Sequence, residues 1–277
     1  MPTAPHLDWH PEAAPTKGVR QRRFDLDRAG RSVPGILWTP EDVTGPRALV
    51  LIGHGAAQTK SETYVVALAR TLVRHHGIAA VAIDGPVHGD RRTDGVADGS
   101  VMMLEFGQRW ADDAGLTDDM IADWRAVLDT VQGLPEIGPG PVGYWGLSMG
   151  TILGLPLVVA EPRISVAVLG LMGVSGPTKA RIAADAAAVS VPVLFLLQWD
   201  DTLFPREKGF ELFHTIGTKD KRLHANPGAH SAVPADEFLA TIRFLSDHLL
   251  PALGSSSPDD GDGHASAGTP AGAGDRR

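Results

Sequence analysis

The chain has 277 residues, of which 43% are hydrophobic and 21% charged, a composition that fits one large α/β domain or two small ones around a sizeable core. A formal net charge of -8 argues against nucleic acid or an anionic membrane surface as a partner. There is no cysteine, which excludes disulfides, thiolate catalysis and cysteine-bound metals and fits a reducing cytoplasm.

Residues 1–17 are rich in Pro and Ala without periodicity and read as an irregular segment, with neither the basic start nor the apolar stretch of a signal peptide. GVRQRRFDLDR and RSVPGILWTP alternate polar and apolar residues around Ala29-Gly30, which predicts an antiparallel hairpin. RALVLIG is a short continuous apolar run, as in a strand buried on both faces. A helix is expected near 60–76, with Thr59 and Glu62 as a capping box, Val65, Leu68, Leu72 and Val73 as its apolar face, and Gly77 closing it. IAAVAID reads as the next buried strand. An acidic linker and a helix near 117–133 follow, with Ile121, Trp124, Leu128 and Val131 spaced helically.

PVGYW, SVAVLG, VPVLFLLQ and KRLHAN then read as four more strands with helices between most of them, and a last helix is expected near 235–250. Pro156 falls inside the helix after PVGYW, where it removes one hydrogen bond. Strand-helix alternation of this kind implies one mostly parallel sheet covered by helices on both faces. The longest apolar runs fall short of the roughly 20 residues that span a bilayer. From 254 to 277 the tail has almost no large apolar side chain and is expected to be disordered. The expected domain therefore occupies residues 18–252.

Gly146-Leu147-Ser148-Met149-Gly150 lies between strand PVGYW and the helix-like run TILGLPLVVA. With 32 glycines in the chain, the five letters alone are a weak signal. Their strand-turn-helix setting is stronger, because a sharp bend there needs glycine on each side and lifts the serine hydroxyl clear of the sheet. Serine also needs a base and a group to orient that base. VPVLFLLQ runs into Trp199-Asp200-Asp201, and a carboxylate at the C-terminal end of a parallel strand faces the crevice. KRLHAN runs into a loop ending at His230. The order Ser148, Asp201, His230 is the one expected of a nucleophile on a strand-helix elbow.

On these residues the chain resembles the α/β-hydrolase superfamily over roughly residues 18–250, in particular single-domain serine esterases and dienelactone-hydrolase-like proteins, although the latter typically use cysteine. The resemblance implies an α/β-hydrolase fold of about eight strands. In the family's G-x-x-D-x-x-x-P pattern, Gln198 stands where Gly is usual and Asp201 precedes Pro205, so Asp201 is the matching acid and Asp200 its rival. His230 matches the family's final-loop histidine, with His224 in the preceding strand as the alternative. Gly53-His54-Gly55-Ala56-Ala57-Gln58 matches the His-Gly turn that supplies one oxyanion donor, which by resemblance is the Ala56 N-H, paired with that of Met149. The HGGG form of lipase-like members is absent. Asp84 to Arg91 matches the family's D-x-P-x-H-G-x-R loop, which serves shape through an Asp90-Arg91 pair; a metal at His88, Asp84 and Asp90 is the alternative.

The expected activity is cleavage of a small-molecule carboxylic ester through an acyl-enzyme, with no metal or organic cofactor. The same residues would serve an acyltransferase, lactonase or amidase, and a non-catalytic binding protein on the same scaffold is the alternative outside enzymes. His54, Gln58 and Trp199 are candidate pocket residues. Segment 90–125, with Val101, Met102, Met103, Leu104, Phe106 and Trp110, either walls the pocket or packs the core.

Overall fold

The computed structural model describes residues 6–42 and 45–255, which hold nine strands and seven α-helices. Nine strands form one sheet: β1 (Leu7–Trp9), β2 (Val19–Arg28), β3 (Arg31–Pro40), β4 (Leu49–Gly53), β5 (Ala79–Ile83), β6 (Val142–Gly146), β7 (Ile164–Gly170), β8 (Val193–Gln198) and β9 (Lys221–Asn226). Seven helices connect or flank them: α1 (Thr63–His76), α2 (Gly99–Asp112), α3 (Leu116–Gln132), α4 (Met149–Ala160), α5 (Lys179–Ala188), α6 (Arg206–Thr215) and α7 (Ala235–Ser255).

The sheet order is β1-β2-β3-β5-β4-β6-β7-β8-β9, antiparallel from β1 to the β3–β5 pair and parallel thereafter. Every residue of β4, β5, β6 and β8 is buried, which accounts for their unbroken apolar runs: helices cover both faces. On one face the core gathers α1 and α7 through Val65, Leu68, Leu245 and Leu249. On the other, α2 to α6 contribute Phe106, Trp124, Leu155, Ile182 and Leu212. At the hairpin, Ala29 and Gly30 both take positive φ, the two-residue turn whose twist matches the strands, and the Asp27 carboxylate accepts from Gly30 N-H (2.7 Å).

Four local expectations change. Leu7–Trp9, within the segment read as irregular, adds an edge strand against Phe24–Leu26, with Trp9 edge-on to Phe24, so the sheet has nine strands rather than about eight. No Thr59–Glu62 capping box forms. Thr59 Oγ1 and C=O instead accept from Ser61 N-H (3.2 Å) and Glu62 N-H (3.1 Å), because Lys60 is held by Asp84 and α1 starts at Thr63. Part of the acidic linker is helix α2, capped by the Asp98 carboxylate on Ser100 N-H (2.8 Å) and buried at Met102 and Phe106, one turn apart. The final helix runs to Ser255; residues 1–5 and 256–277, which include most of the expected disordered tail, lie outside the described residues. Helix α4 continues through Pro156 to Ala160. Among the described residues, no helix is long and apolar enough to cross a membrane.

Candidate active site

The site is assembled where parallel strands end side by side. Gly53, the last residue of β4, pairs with Gly146, the last of β6, so the turn after β4 and the bend after β6 leave the sheet together. Ser148 sits in that bend at φ 57° and ψ -118°, a strained conformation for a side-chain-bearing residue. The flanking glycines are sterically required. A Cβ on Gly150 would lie 2.6 Å from Gly53 C=O, and one on Gly146 would lie 2.7 Å from Gly150 C=O. The bend is fastened from below: Ser148 N-H donates to Gly170 C=O (3.0 Å), and Thr151 Oγ1 accepts from Gly170 N-H (2.8 Å) with its one proton between the Gly146 and Gly170 carbonyls (2.9 and 2.7 Å).

His230 meets Ser148 across the edge of the sheet. Its Nε2 lies 2.9 Å from Ser148 Oγ and its Nδ1 lies 2.7 Å from Asp201 Oδ2. The Asp201 carboxylate is nearly buried, and its other oxygen accepts from Leu203 N-H (2.8 Å) and Phe204 N-H (3.0 Å). A carboxylate fixed this way accepts a hydrogen bond from Nδ1–H, which leaves the ring lone pair on Nε2 facing the serine hydroxyl. The two rivals are engaged elsewhere. Asp200 accepts from Gly228 N-H (3.0 Å), and His224 pairs with Glu237 on α7 (2.9 Å).

The turn at 54–58 is hung from the loop after β5. His54 is buried, donates from Nδ1 to Gly55 C=O (2.8 Å) and accepts at Nε2 from Gly85 N-H (2.8 Å). Burial pushes its pKa down to about 4, so it is neutral at physiological pH. It therefore props the turn and does not reach the pocket for which it was a candidate. His88, also lowered by burial, accepts from Ala57 N-H (3.3 Å) and donates to Pro86 C=O (2.6 Å). Both its nitrogens are thus committed to backbone, which disfavours the metal alternative. Lys60 Nζ bridges Asp84 (2.5 Å) and Asp90 (2.6 Å), whereas Arg91 pairs with Asp123 (2.8 Å). The expected Asp90–Arg91 pair does not form; Asp90 pairs with Lys60 and Arg91 with Asp123 instead.

Among the described residues, two N-H groups in the turns flanking Ser148 make no hydrogen bond. Ala56 N-H has no hydrogen-bond partner among the described residues. Met149 is the first residue of α4, where an N-H has no intrahelical acceptor.

A cavity of about 150 Å³ opens beside Ser148 and His230. Gln58, Tyr64, Trp145, Leu147, Leu171, Val233 and Phe238 form its walls. Tyr64 was not singled out from sequence, although it is one of only two tyrosines. Its phenol accepts from Gly55 N-H (3.0 Å) and donates to Gln58 Oε1 (2.9 Å), while its ring leans on Trp145 and Phe238. Trp199 is not in this cavity: it turns outward, 46% exposed, with the Arg206 guanidinium over its ring. Nor does segment 90–125 wall it; Met102 and Phe106 pack the core and Leu104 faces solvent.

Among solved structures, the chain is similar to a cold-adapted esterase from an Arctic intertidal metagenomic library, at 43% identity and a TM-score of 0.77, covering 87% of this chain and 99% of that one. It is also similar to acetyl xylan esterase 1 from Thermoanaerobacterium sp. (16% identity, TM-score 0.66, 88% of each chain). A dienelactone hydrolase from Anabaena variabilis is similar at 19% identity and TM-score 0.62, over 85% of this chain and 99% of that one. The last two likenesses concern the fold alone. No protein-family model and no curated protein matches the chain.

Proposed function

The chain belongs to the α/β-hydrolase superfamily, and on that premise we propose that it is a serine hydrolase of carboxylic esters. Ser148 Oγ attacks the ester carbonyl as His230 Nε2 takes its proton. The negative oxygen of the tetrahedral intermediate rests on the N-H groups of Ala56 and Met149. His230 then gives the proton to the leaving alcohol, and Asp201 compensates the imidazolium and fixes its orientation. Water, deprotonated by the same imidazole, resolves the acyl-enzyme and restores the serine. Losing one oxyanion donor from such a site costs roughly 3–4 kcal/mol of transition-state stabilisation.

The observation that carries this reading is the single imidazole within hydrogen-bond distance of both Ser148 Oγ (2.9 Å) and Asp201 Oδ2 (2.7 Å). The cavity of about 150 Å³ beside Ser148, with mostly apolar walls, supports a short acyl or small aromatic group as the substrate's acyl part. Turnover of p-nitrophenyl acetate and labelling by a fluorophosphonate test the reading. Ser148→Ala should abolish both; full turnover by that variant would remove Ser148 from the mechanism. Adding an alcohol and measuring how the acyl group partitions between it and water separates hydrolysis from transfer.

A further inference from the structure

Among the described residues, the loop that carries His230 is anchored by apolar contact only at Val233, which packs on the core, and at the His230 ring, which lies against Phe204. Pro227, Ala229, Ser231 and Ala232 are exposed, and Gly228 has φ +112°, a conformation open mainly to glycine. What else holds the loop is a row of polar ties to four consecutive residues at the end of β8. Trp199 N-H donates to Asn226 C=O (2.7 Å). Asp200 N-H donates to Gly228 C=O (3.0 Å), and the Asp200 carboxylate accepts from Gly228 N-H (3.0 Å). Asp201 accepts from His230 itself.

The innermost of the four, Gln198, differs in kind. It stands where the family pattern has glycine, and its side chain is buried, 1% exposed. Its Nε2 donates to Ala229 C=O (3.3 Å) and Ala232 C=O (2.8 Å). Those carbonyls are the two ends of the turn that presents His230 and Ser231, a turn closed by Ala232 N-H on Ala229 C=O (2.9 Å). Both partners can only accept, so the orientation of the amide is fixed with its NH2 group toward the turn. The ties at Asn226 and Gly228 lie before the turn, and within it His230 is held by Asp201 and by its ring contact with Phe204. Gln198 grips the turn from both ends.

We propose that Gln198 is a positioning residue for the base: its carboxamide clamps the Ala229–Ala232 turn and so keeps His230 Nε2 within reach of Ser148. This rests on the role assigned to His230 above. The serine-to-base distance is one where a misplacement of about 1 Å costs on the order of 100-fold in rate. Glycine at this position would supply neither hydrogen bond.

Three variants test the clamp on p-nitrophenyl acetate, with Ser148→Ala alongside. Gln198→Met keeps the volume and loses both donors; kcat should fall about 10- to 100-fold with KM within about twofold, while a fluorophosphonate still labels every active site, only more slowly. Gln198→Gly, the family's own residue there, should show the same fall and serves if the methionine variant does not fold. Gln198→Glu places a carboxylate against two carbonyl oxygens and can donate only when protonated. Its rate relative to wild type should therefore rise as pH is lowered, over a pH range in which thermal unfolding shows the variant fully folded, so that the rise is not a gain of folded protein. Wild-type kcat in folded Gln198→Met or Gln198→Gly, or a Gln198→Glu ratio independent of pH, would overturn the clamp while leaving the triad intact. Full turnover by Ser148→Ala would instead remove the functional reading, and the clamp with it.

Discussion

Replacing Asp201 by Asn is an isosteric change whose effect can be worked out from the hydrogen bonds around it. One carboxylate oxygen accepts from Leu203 N-H (2.8 Å) and Phe204 N-H (3.0 Å), and the other faces His230 Nδ1 (2.7 Å). An asparagine must keep its oxygen on the two backbone donors, since turning its NH2 group to them would leave two N-H groups unsatisfied at a cost of about 1–3 kcal/mol each. Its NH2 then points at His230, which must present an unprotonated Nδ1 and therefore carries its proton on Nε2. That tautomer donates toward Ser148 and cannot take the serine proton. In a serine protease the corresponding change lowers kcat about 10⁴-fold, equivalent to about 5 kcal/mol, and the same order is expected for Asp201→Asn. Steady-state kinetics on p-nitrophenyl acetate measure the loss, and thermal unfolding checks that the fold persists. Asp200→Asn, whose carboxylate holds only Gly228 N-H, should lose far less. Retention of more than a tenth of wild-type kcat by Asp201→Asn, or a deeper loss in Asp200→Asn, would refute the assignment of the acid.

Three further outcomes follow from the same geometry. Phe238→Ala should deepen the cavity beside Ser148 and shift preference toward longer acyl chains, by about fourfold in kcat/KM for each methylene newly buried, as read from a p-nitrophenyl ester series. Gly150→Ala should destabilise the fold by about 1–3 kcal/mol in urea unfolding, because the new Cβ meets Gly53 C=O; Gly107→Ala, in the open interior of α2, should stabilise it by about 0.5–1 kcal/mol. Stability should also depend on His54. The folded protein keeps this imidazole neutral down to about pH 4, whereas the unfolded chain protonates it below about pH 6.5. Its contribution is thus complete above about pH 6.5 and is lost as pH falls toward 4, by ~3 kcal/mol. His54→Asn should flatten the corresponding slope in unfolding experiments between pH 7 and 4.5, and an unchanged slope would contradict the buried neutral state.

Several elements were legible from short-range pattern because their physical cause is local. The continuous apolar runs of β4, β5, β6 and β8 follow from burial on both faces, and the hairpin follows from alternation around Ala29-Gly30. The Gly146–Gly150 bend is legible because glycine is required by close backbone approach within one turn. What escaped depends on partners far along the chain. β1 is a strand because Phe24–Leu26 offers it an edge, and three residues carry no periodicity of their own. The Thr59–Glu62 pattern lost to Lys60, which is drawn into a buried ion pair with Asp84 and a half-exposed one with Asp90 just ahead of α1. Helix α2 did leave a signal, in the one-turn spacing of Met102, Phe106 and Trp110 behind Asp98, which the surrounding acidic residues masked.

The amino-acid order by itself determined the class of fold and the kinds of side chain available for chemistry, since burial and turn geometry impose their patterns within a few neighbouring residues. Which carboxylate faces His230, which way Trp199 turns, and that Tyr64 and Gln198 brace the site were decided only by the tertiary structure. Each is a hydrogen bond or contact between segments that meet because parallel strands end at one edge of the sheet, and sequence spacing holds no record of that meeting.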